Sequence, residues 1–195
     1  MSRAALIFPD SVEVVGTDRN YVSFWYHGAK NELRKRGYFN THILSPPDAE
    51  HTTAQAWADQ IRQEHSDGFL ASRDVRLFGQ GLGGVGLLRL LEQPIEPISG
   101  AYLVSTPVGI PPIARDAEIA AFANGYEFDY SKIRATSRRF RVFHADDDPQ
   151  VPVANGAELA RQVGVELTLI QDAGHFDTGD SCEKLYAAMF YRPSA

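Results

Sequence analysis

Three short segments of this sequence carry residue types and spacings that could do chemistry. The first, Gly79-Gln80-Gly81-Leu82-Gly83-Gly84, follows an apolar run and leads into the apolar stretch Leu82–Leu91. Strand, glycine turn and helix in that order are the setting of a Gly-x-Ser-x-Gly nucleophile elbow. Such a turn needs its glycines because side chains there would clash. Its central residue projects into the site from a strained backbone, and the helix N-terminus with the next backbone N–H helps form an oxyanion hole. All the scaffold glycines are present, but Gly81 stands where the motif has serine. Glycine has no atom that can attack a carbonyl, so acyl transfer through residue 81 is excluded.

The second segment is His144-Ala145-Asp146-Asp147-Asp148-Pro149-Gln150-Val151-Pro152, between a strand-like run and a helical one. Acids in such a turn commonly cap the next helix. Three together also invite a calcium reading, but Pro149 and the missing Gly and Glu break the EF-hand spacing. The third segment is Asp172-Ala173-Gly174-His175-Phe176, after the last strand-like run. A phosphate loop competes for the glycine run. The Lys-Ser/Thr pair of a P-loop is missing, and although Gly79, Gly81 and Gly84 have the spacing of a Gly-x-Gly-x-x-Gly run, no acidic residue ending a second strand follows about twenty residues on.

Positioning these segments falls to regularly alternating elements. Short apolar, β-branched runs at Ala4–Phe8, Phe39–Leu44, Val75–Gly79, Ile98–Ser105, Arg141–Ala145 and Val165–Gln171 suit strands buried on both faces. Helical patterns lie between them at Tyr21–Arg36, Thr52–His65, Leu82–Leu91, Val153–Val163 and Asp180–Phe190. Alternation of this kind predicts an α/β three-layer sandwich, a mostly parallel central sheet of about six strands with helices on both faces. Ligands then sit beyond the carboxyl ends of the strands, in the loops after Phe8, Gly79, Ser105, Ala145 and Gln171. The irregular, Pro- and aromatic-rich segment 106–137, part of which, about Ile113–Asn124, could be a helix, reads equally as a cap or binding loop over the site and as a surface helix whose aromatics pack downward. The run Arg138–Arg141 reads as a solvated strand start.

The totals narrow the class. A chain of 195 residues suits one domain over 1–195, and 44% apolar with 23% charged residues suffices for a core without staples. The net charge of −6 argues against a nucleic-acid partner. A single cysteine, Cys182, excludes an internal disulfide and a Cys-rich zinc site. Ala4–Phe8 is too short for a signal-peptide core and no run approaches a membrane span, so the expected location is cytoplasmic.

Together the motifs resemble one family, the small serine hydrolases of the retinoblastoma-binding-protein-nine type and their bacterial relatives, in the α/β-hydrolase superfamily. The resemblance runs over nearly the whole chain. It includes Trp25-Tyr26 ahead of Lys30, Glu32 and Leu33, the glycine elbow, Leu103-Val104-Ser105, Asp147-Asp148-Pro149 and Gly174-His175-Phe176. It implies the α/β-hydrolase fold, with Asp148 and His175 matching the acid and base of a triad and Gly81 matching its nucleophile. Nucleophile, acid and base stand in the family's chain order. The chain departs from the family after the first strand, where Pro9-Asp10-Ser11-Val12 replaces a Pro-Gly pair and small residues. A carboxylate at Asp10 would repel a developing oxyanion. The expected substrate-binding or oxyanion region comprises Asp10, Ser11, Trp25, Tyr26, Gln80, Leu82, Ser105 and Phe176. Substitute nucleophiles would be Ser11, Ser105 or Cys182.

An imidazole oriented by a carboxylate is a general base without any serine, and the space left by the absent hydroxyl could admit a substrate atom or a water. The expected function is therefore non-hydrolytic acid/base chemistry on a small molecule, such as elimination, isomerisation or cyclisation in bacterial secondary metabolism. Asp10 would serve as a second acid/base group. The alternatives are a non-catalytic ligand-binding or partner protein, a serine hydrolase inactivated by a Ser-to-Gly change, and a residual or relocated hydrolase. No metal or organic cofactor is expected, and the chain is expected to be a monomer or homodimer.

Overall fold

Six short strands lie side by side, each paired in parallel with its neighbours. They are β1 (Arg3–Phe8), β2 (Asn40–Ile43), β3 (Asp74–Gln80), β4 (Gly100–Val104), β5 (Phe140–Ala145) and β6 (Leu167–Ile170), in the spatial order β2-β1-β3-β4-β5-β6. The computed structural model describes residues 2–10, 24–44, 58–59, 61–63, 72–108 and 127–191. Five helices of seven residues or more are among these. They are α1 (Phe24–Lys35), α2 (Gly81–Leu91), α3 (Tyr130–Thr136), α4 (Val153–Val163) and α5 (Gly179–Phe190).

Period-two alternation sends successive strand residues to opposite faces, so a sheet covered on both sides needs apolar residues at nearly every position. Along β1, Ala4, Leu6 and Phe8 join a core with α2, α3 and α4, whereas Ala5 and Ile7 join the core formed with α1 and α5. Leu77 and Phe78 of β3, and Val142 and Phe143 of β5, divide in the same way. The result is the three-layer α/β sandwich that the alternation of elements predicts, and it matches the α/β-hydrolase fold that the resemblance implies.

Strand boundaries agree with the sequence to within two residues, and Arg138 and Arg139 are exposed at the start of β5, as expected. Helix α3 was not anticipated. Asp129 caps it by accepting from the backbone N–H groups of Ser131 and Lys132, and Ile133 is its buried contact with the core. Seven residues give too little periodicity to stand out from the aromatic segment around them. Of the expected helix at Thr52–His65, residues 58–59 and 61–63 are described and helical. Most of the cap segment, including the helix expected at Ile113–Asn124, lies outside the described residues. Among the described residues, no helix is long and apolar enough to cross a membrane.

The site depends on how closely α2 docks on β1. A Cβ at Gly83 would lie 2.4 Å from the carbonyl oxygens of both Phe8 and Pro9, backbone atoms that cannot step aside. Gly83→Ala is therefore expected to cost about 2–3 kcal/mol of stability through overpacking. Gly179→Ala meets nothing within 4 Å. It should be neutral or stabilising by up to about 1 kcal/mol. Urea unfolding of the two variants beside the parent checks this contrast.

Candidate active site

Beyond the carboxyl ends of the central strands the chain makes a series of tight turns. The sharpest joins β3 to α2. Gln80 is extended, with φ −117°, and Gly81 turns to φ +51°, in the left-handed region that glycine adopts without penalty. The register pairs Phe8 with Gly79, so Asp10 and Gly81 each lie two residues past a paired position. Their atoms meet: a Cβ at residue 81 would lie 1.9 Å from Asp10 Oδ2 and 2.4 Å from its Cγ. The space a side chain at residue 81 would take is filled by the Asp10 carboxyl group. Asp10 Oδ1 also faces the Leu82 backbone N–H at 3.4 Å. This differs from the expectation of room there for a substrate atom or water, because the carboxylate supplied by the β1 loop reaches into that room.

The imidazole of His175 stands between two carboxylates. Its Nδ1 lies 2.9 and 3.1 Å from the two oxygens of Asp148, and its Nε2 lies 3.0 Å from Asp10 Oδ2. Asp148 is itself held from several sides. Its Oδ1 accepts from the backbone N–H groups of Gln150 and Val151, and its Oδ2 accepts from the Ser105 hydroxyl at 2.6 Å. Ser105 adopts φ +42°, a left-handed conformation rare for a residue with a side chain. The neighbouring acids brace the histidine loop. Asp147 accepts from the N–H groups of Ala173 and Gly174, and Asp146 from that of Asp172. The acidic run is thus engaged with backbone donors. Among the described residues no group of three or more His, Cys, Asp or Glu side chains could hold a metal ion.

The charges follow from this geometry. Burial opposes a charge on His175, but hydrogen bonds from the ring to Asp10 and Asp148, with their negative charges, prevail and raise its pKa from 6.5 to about 10. Burial also opposes a charge on Asp148, and His175, Ser105 and the Val151 N–H outweigh it and hold this carboxyl below its usual range. With a carboxylate facing each ring nitrogen, both nitrogens act as donors and the ring is an imidazolium. His144, on β5, is pushed the other way, chiefly by burial, and donates from Nε2 to the carbonyl of Val151 at 2.9 Å.

The structure brings together Asp10, Gly81, Leu82, Ser105, Asp148 and His175. Trp25, Tyr26 and Gln80 are buried beneath them in one network. Gln80 Oε1 accepts from Trp25 Nε1 and from the Tyr26 hydroxyl, and Gln80 Nε2 donates to the His175 carbonyl at 2.7 Å. Phe176, at φ +60°, is buried in the core shared with α1 and α5. The Cys182 thiol is directed to the Phe176 carbonyl, 3.4 Å away. Ser11 lies outside the described residues. Sequence reasoning missed the bracing by Asp146 and Asp147 and the direct contact of Asp10 with both Gly81 and His175. Counting equal steps past the ends of β1 and β3 was the available signal for that contact.

Comparison with known proteins agrees with this architecture. Residues 25–188 match the family model described as Serine hydrolase. The chain belongs to the serine hydrolase family. It is 27% identical over 155 residues to the YdeN protein of Bacillus subtilis (strain 168), covering 78% of this chain and 77% of that protein. The solved structure of the B. subtilis ydeN gene product matches with a TM-score of 0.74 at 22% identity, over 90% of this chain and 88% of that one. The esterase domain of a Rhodothermus marinus protein matches with a TM-score of 0.62 at 13% identity, over 97% and 85% of the two chains.

A histidine more basic in the folded than in the unfolded chain stabilises fully below its unfolded pKa, and loses that contribution as pH rises through its folded pKa. Between pH 7 and 10 the unfolding free energy should fall by about 1.4 kcal/mol per pH unit on account of His175. Asp148 works in the opposite sense, with stability lost as pH falls below 3.8. Urea unfolding measured over both the alkaline and the acidic range checks both, and His175→Gln should lose the alkaline slope.

Proposed function

We propose that this chain is an acid/base enzyme acting on a small molecule, with Gly81 at the family's nucleophile position and Asp10 supplying the group that faces the histidine there. The observation that carries this reading is the Asp10 carboxylate, 3.0 Å from His175 Nε2 and filling the space of a residue-81 side chain. Asp10 serves as the base and the His175 imidazolium as the acid. Asp148 stays ionised and orients the ring. A proton leaving the substrate goes to Asp10, and Nε2–H gives one to the forming product. Neutralising Asp10 removes one of the two negative charges that make His175 basic, so proton uptake at one group makes the other a better donor. The proton on Asp10 then crosses to Nε2 and restores the site. Elimination, isomerisation and cyclisation each need one base and one acid in this relation, and none needs an acyl-enzyme.

A second reading, a ligand-binding protein without catalysis, is favoured by the burial of the pair: Asp10 is 3% exposed and His175 1%. A serine hydrolase inactivated at residue 81 alone fits less well. Serine there would put its Cβ into the Asp10 carboxyl group, so Asp10 would have to leave its place beside His175.

Screening a panel of small carbon acids and hydroxy-carbonyl compounds for turnover tests the proposal. His175→Ala and Asp10→Asn should each lower any activity found by at least about 10²-fold. Undiminished turnover in His175→Ala would sink it. Labelling with a fluorophosphonate gives a separate check on residue 81. The parent should not label and Gly81→Ser alone should not, whereas the pair Gly81→Ser with Asp10→Gly should.

A further inference from the structure

We infer that Gln80, acting through Tyr26, is the positioning residue that sets the Asp10–His175 contact, because one buried amide is tied to the backbone of both partners. This inference rests on the acid/base reading of the site and adds the device that holds its two groups in register. Tyr26 oxygen accepts from the backbone N–H of Asp10 at 2.8 Å, and its hydroxyl proton goes to Gln80 Oε1, also at 2.8 Å. The other end of the amide donates to the His175 carbonyl at 2.7 Å. The path from Asp10 to His175 through Tyr26 and Gln80 is therefore three hydrogen bonds long, although 165 residues separate the ends in sequence.

Three properties make this a positioning device beyond ordinary core packing. Trp25 and Gln80 have no exposed surface and Tyr26 has 1%, so water cannot replace a lost partner. The amide has a fixed direction. Trp25 Nε1 and the Tyr26 hydroxyl both donate to Oε1, which leaves Nε2 to point at the histidine loop. Gln80 also directly precedes Gly81, so the strand that fixes the amide fixes the elbow as well. Chain ends brought together by a directional network keep a 3.0 Å contact that loops alone would let drift. Proton transfer falls off when such contacts loosen.

The titratable groups facing His175 among the described residues are Asp10 from the end of β1, Asp148 from the loop after β5, and His144 on β5. Loosening Asp10 alone leaves Asp148 in place and removes part of what keeps the ring protonated.

The test is an NMR titration of ¹⁵N-histidine-labelled full-length chain, which needs no substrate. Tyr26→Phe keeps the ring and deletes the link. Gln80→Met keeps the volume and deletes both ends. Thr41→Val is the control, because the Thr41 hydroxyl donates to the Tyr38 carbonyl in another part of the sheet. The His175 midpoint should fall by about one pH unit or more in Tyr26→Phe and Gln80→Met, a tenfold change in proton affinity. It should stay at the parental value in Thr41→Val, even where all three variants lose stability. Should Gln80→Met not fold, Tyr26→Phe alone decides. A parental midpoint in Tyr26→Phe, or an equal drop in Thr41→Val, overturns the inference. Failure to find turnover would count against the acid/base reading and leave this result standing.

Discussion

Placing an imidazolium in a protein interior requires compensating negative charge with good geometry, since desolvation otherwise drives the ring to its neutral form. His175 meets that requirement twice, with Asp148 at Nδ1 and Asp10 at Nε2. Two buried carboxylates in turn need donors for their remaining lone pairs. The Ser105 hydroxyl, the N–H groups of Gln150 and Val151, and the Leu82 N–H at the start of α2 supply them. Each donor comes from the carboxyl end of a strand or the turn after it. The parallel sheet thus delivers the whole electrostatic cluster to one edge, and the cluster explains why several of these turns adopt unusual backbone conformations. Ser105 and Phe176 take positive φ without being glycine, a strain kept only where surrounding structure holds it.

Much of the fold was legible because parallel strands covered on both faces leave a simple mark: short apolar runs separated by helical periods. The histidine and its orienting acid were legible for a different reason. Asp148 and His175 lie in short local motifs, each just past a strand, and their meeting follows from the adjacency of β5 and β6. Asp10 was flagged as a departure, but its position required the β1–β3 register and the left-handed turn at Gly81, which no local pattern encodes. The Gln80 network was less visible still. An isolated glutamine between two glycines has no periodicity, and its three partners come from positions 25, 26 and 175. Helix α3 leaves no periodic mark in the sequence, because it is seven residues long with one cap and two buried side chains, Ile133 and Thr136.

The three adjacent acids show how one composition can serve different ends. Read as a string, Asp146-Asp147-Asp148 suggests a cation site. In the folded chain only Asp148 faces the imidazole, while the other two fasten the histidine loop by its backbone. Anchoring by backbone donors leaves the loop's side chains free to be chosen for chemistry. It also makes the separation between the acid turn and the histidine turn a property of the sheet edge.

The 1.9 Å clash between a Cβ at residue 81 and Asp10 also makes a statement about ancestry. A side chain at position 81 and the present placement of the Asp10 carboxyl group exclude each other. A lineage that carries an aspartate here in this conformation tolerates glycine opposite it and little else, and one that carries serine at the turn must keep position 10 small. Between those states a chain changed at only one position holds either a crowded turn or a histidine without a partner at Nε2. Aligned relatives should therefore show the two sites switching together, and that covariation would be the record of the coupling between them.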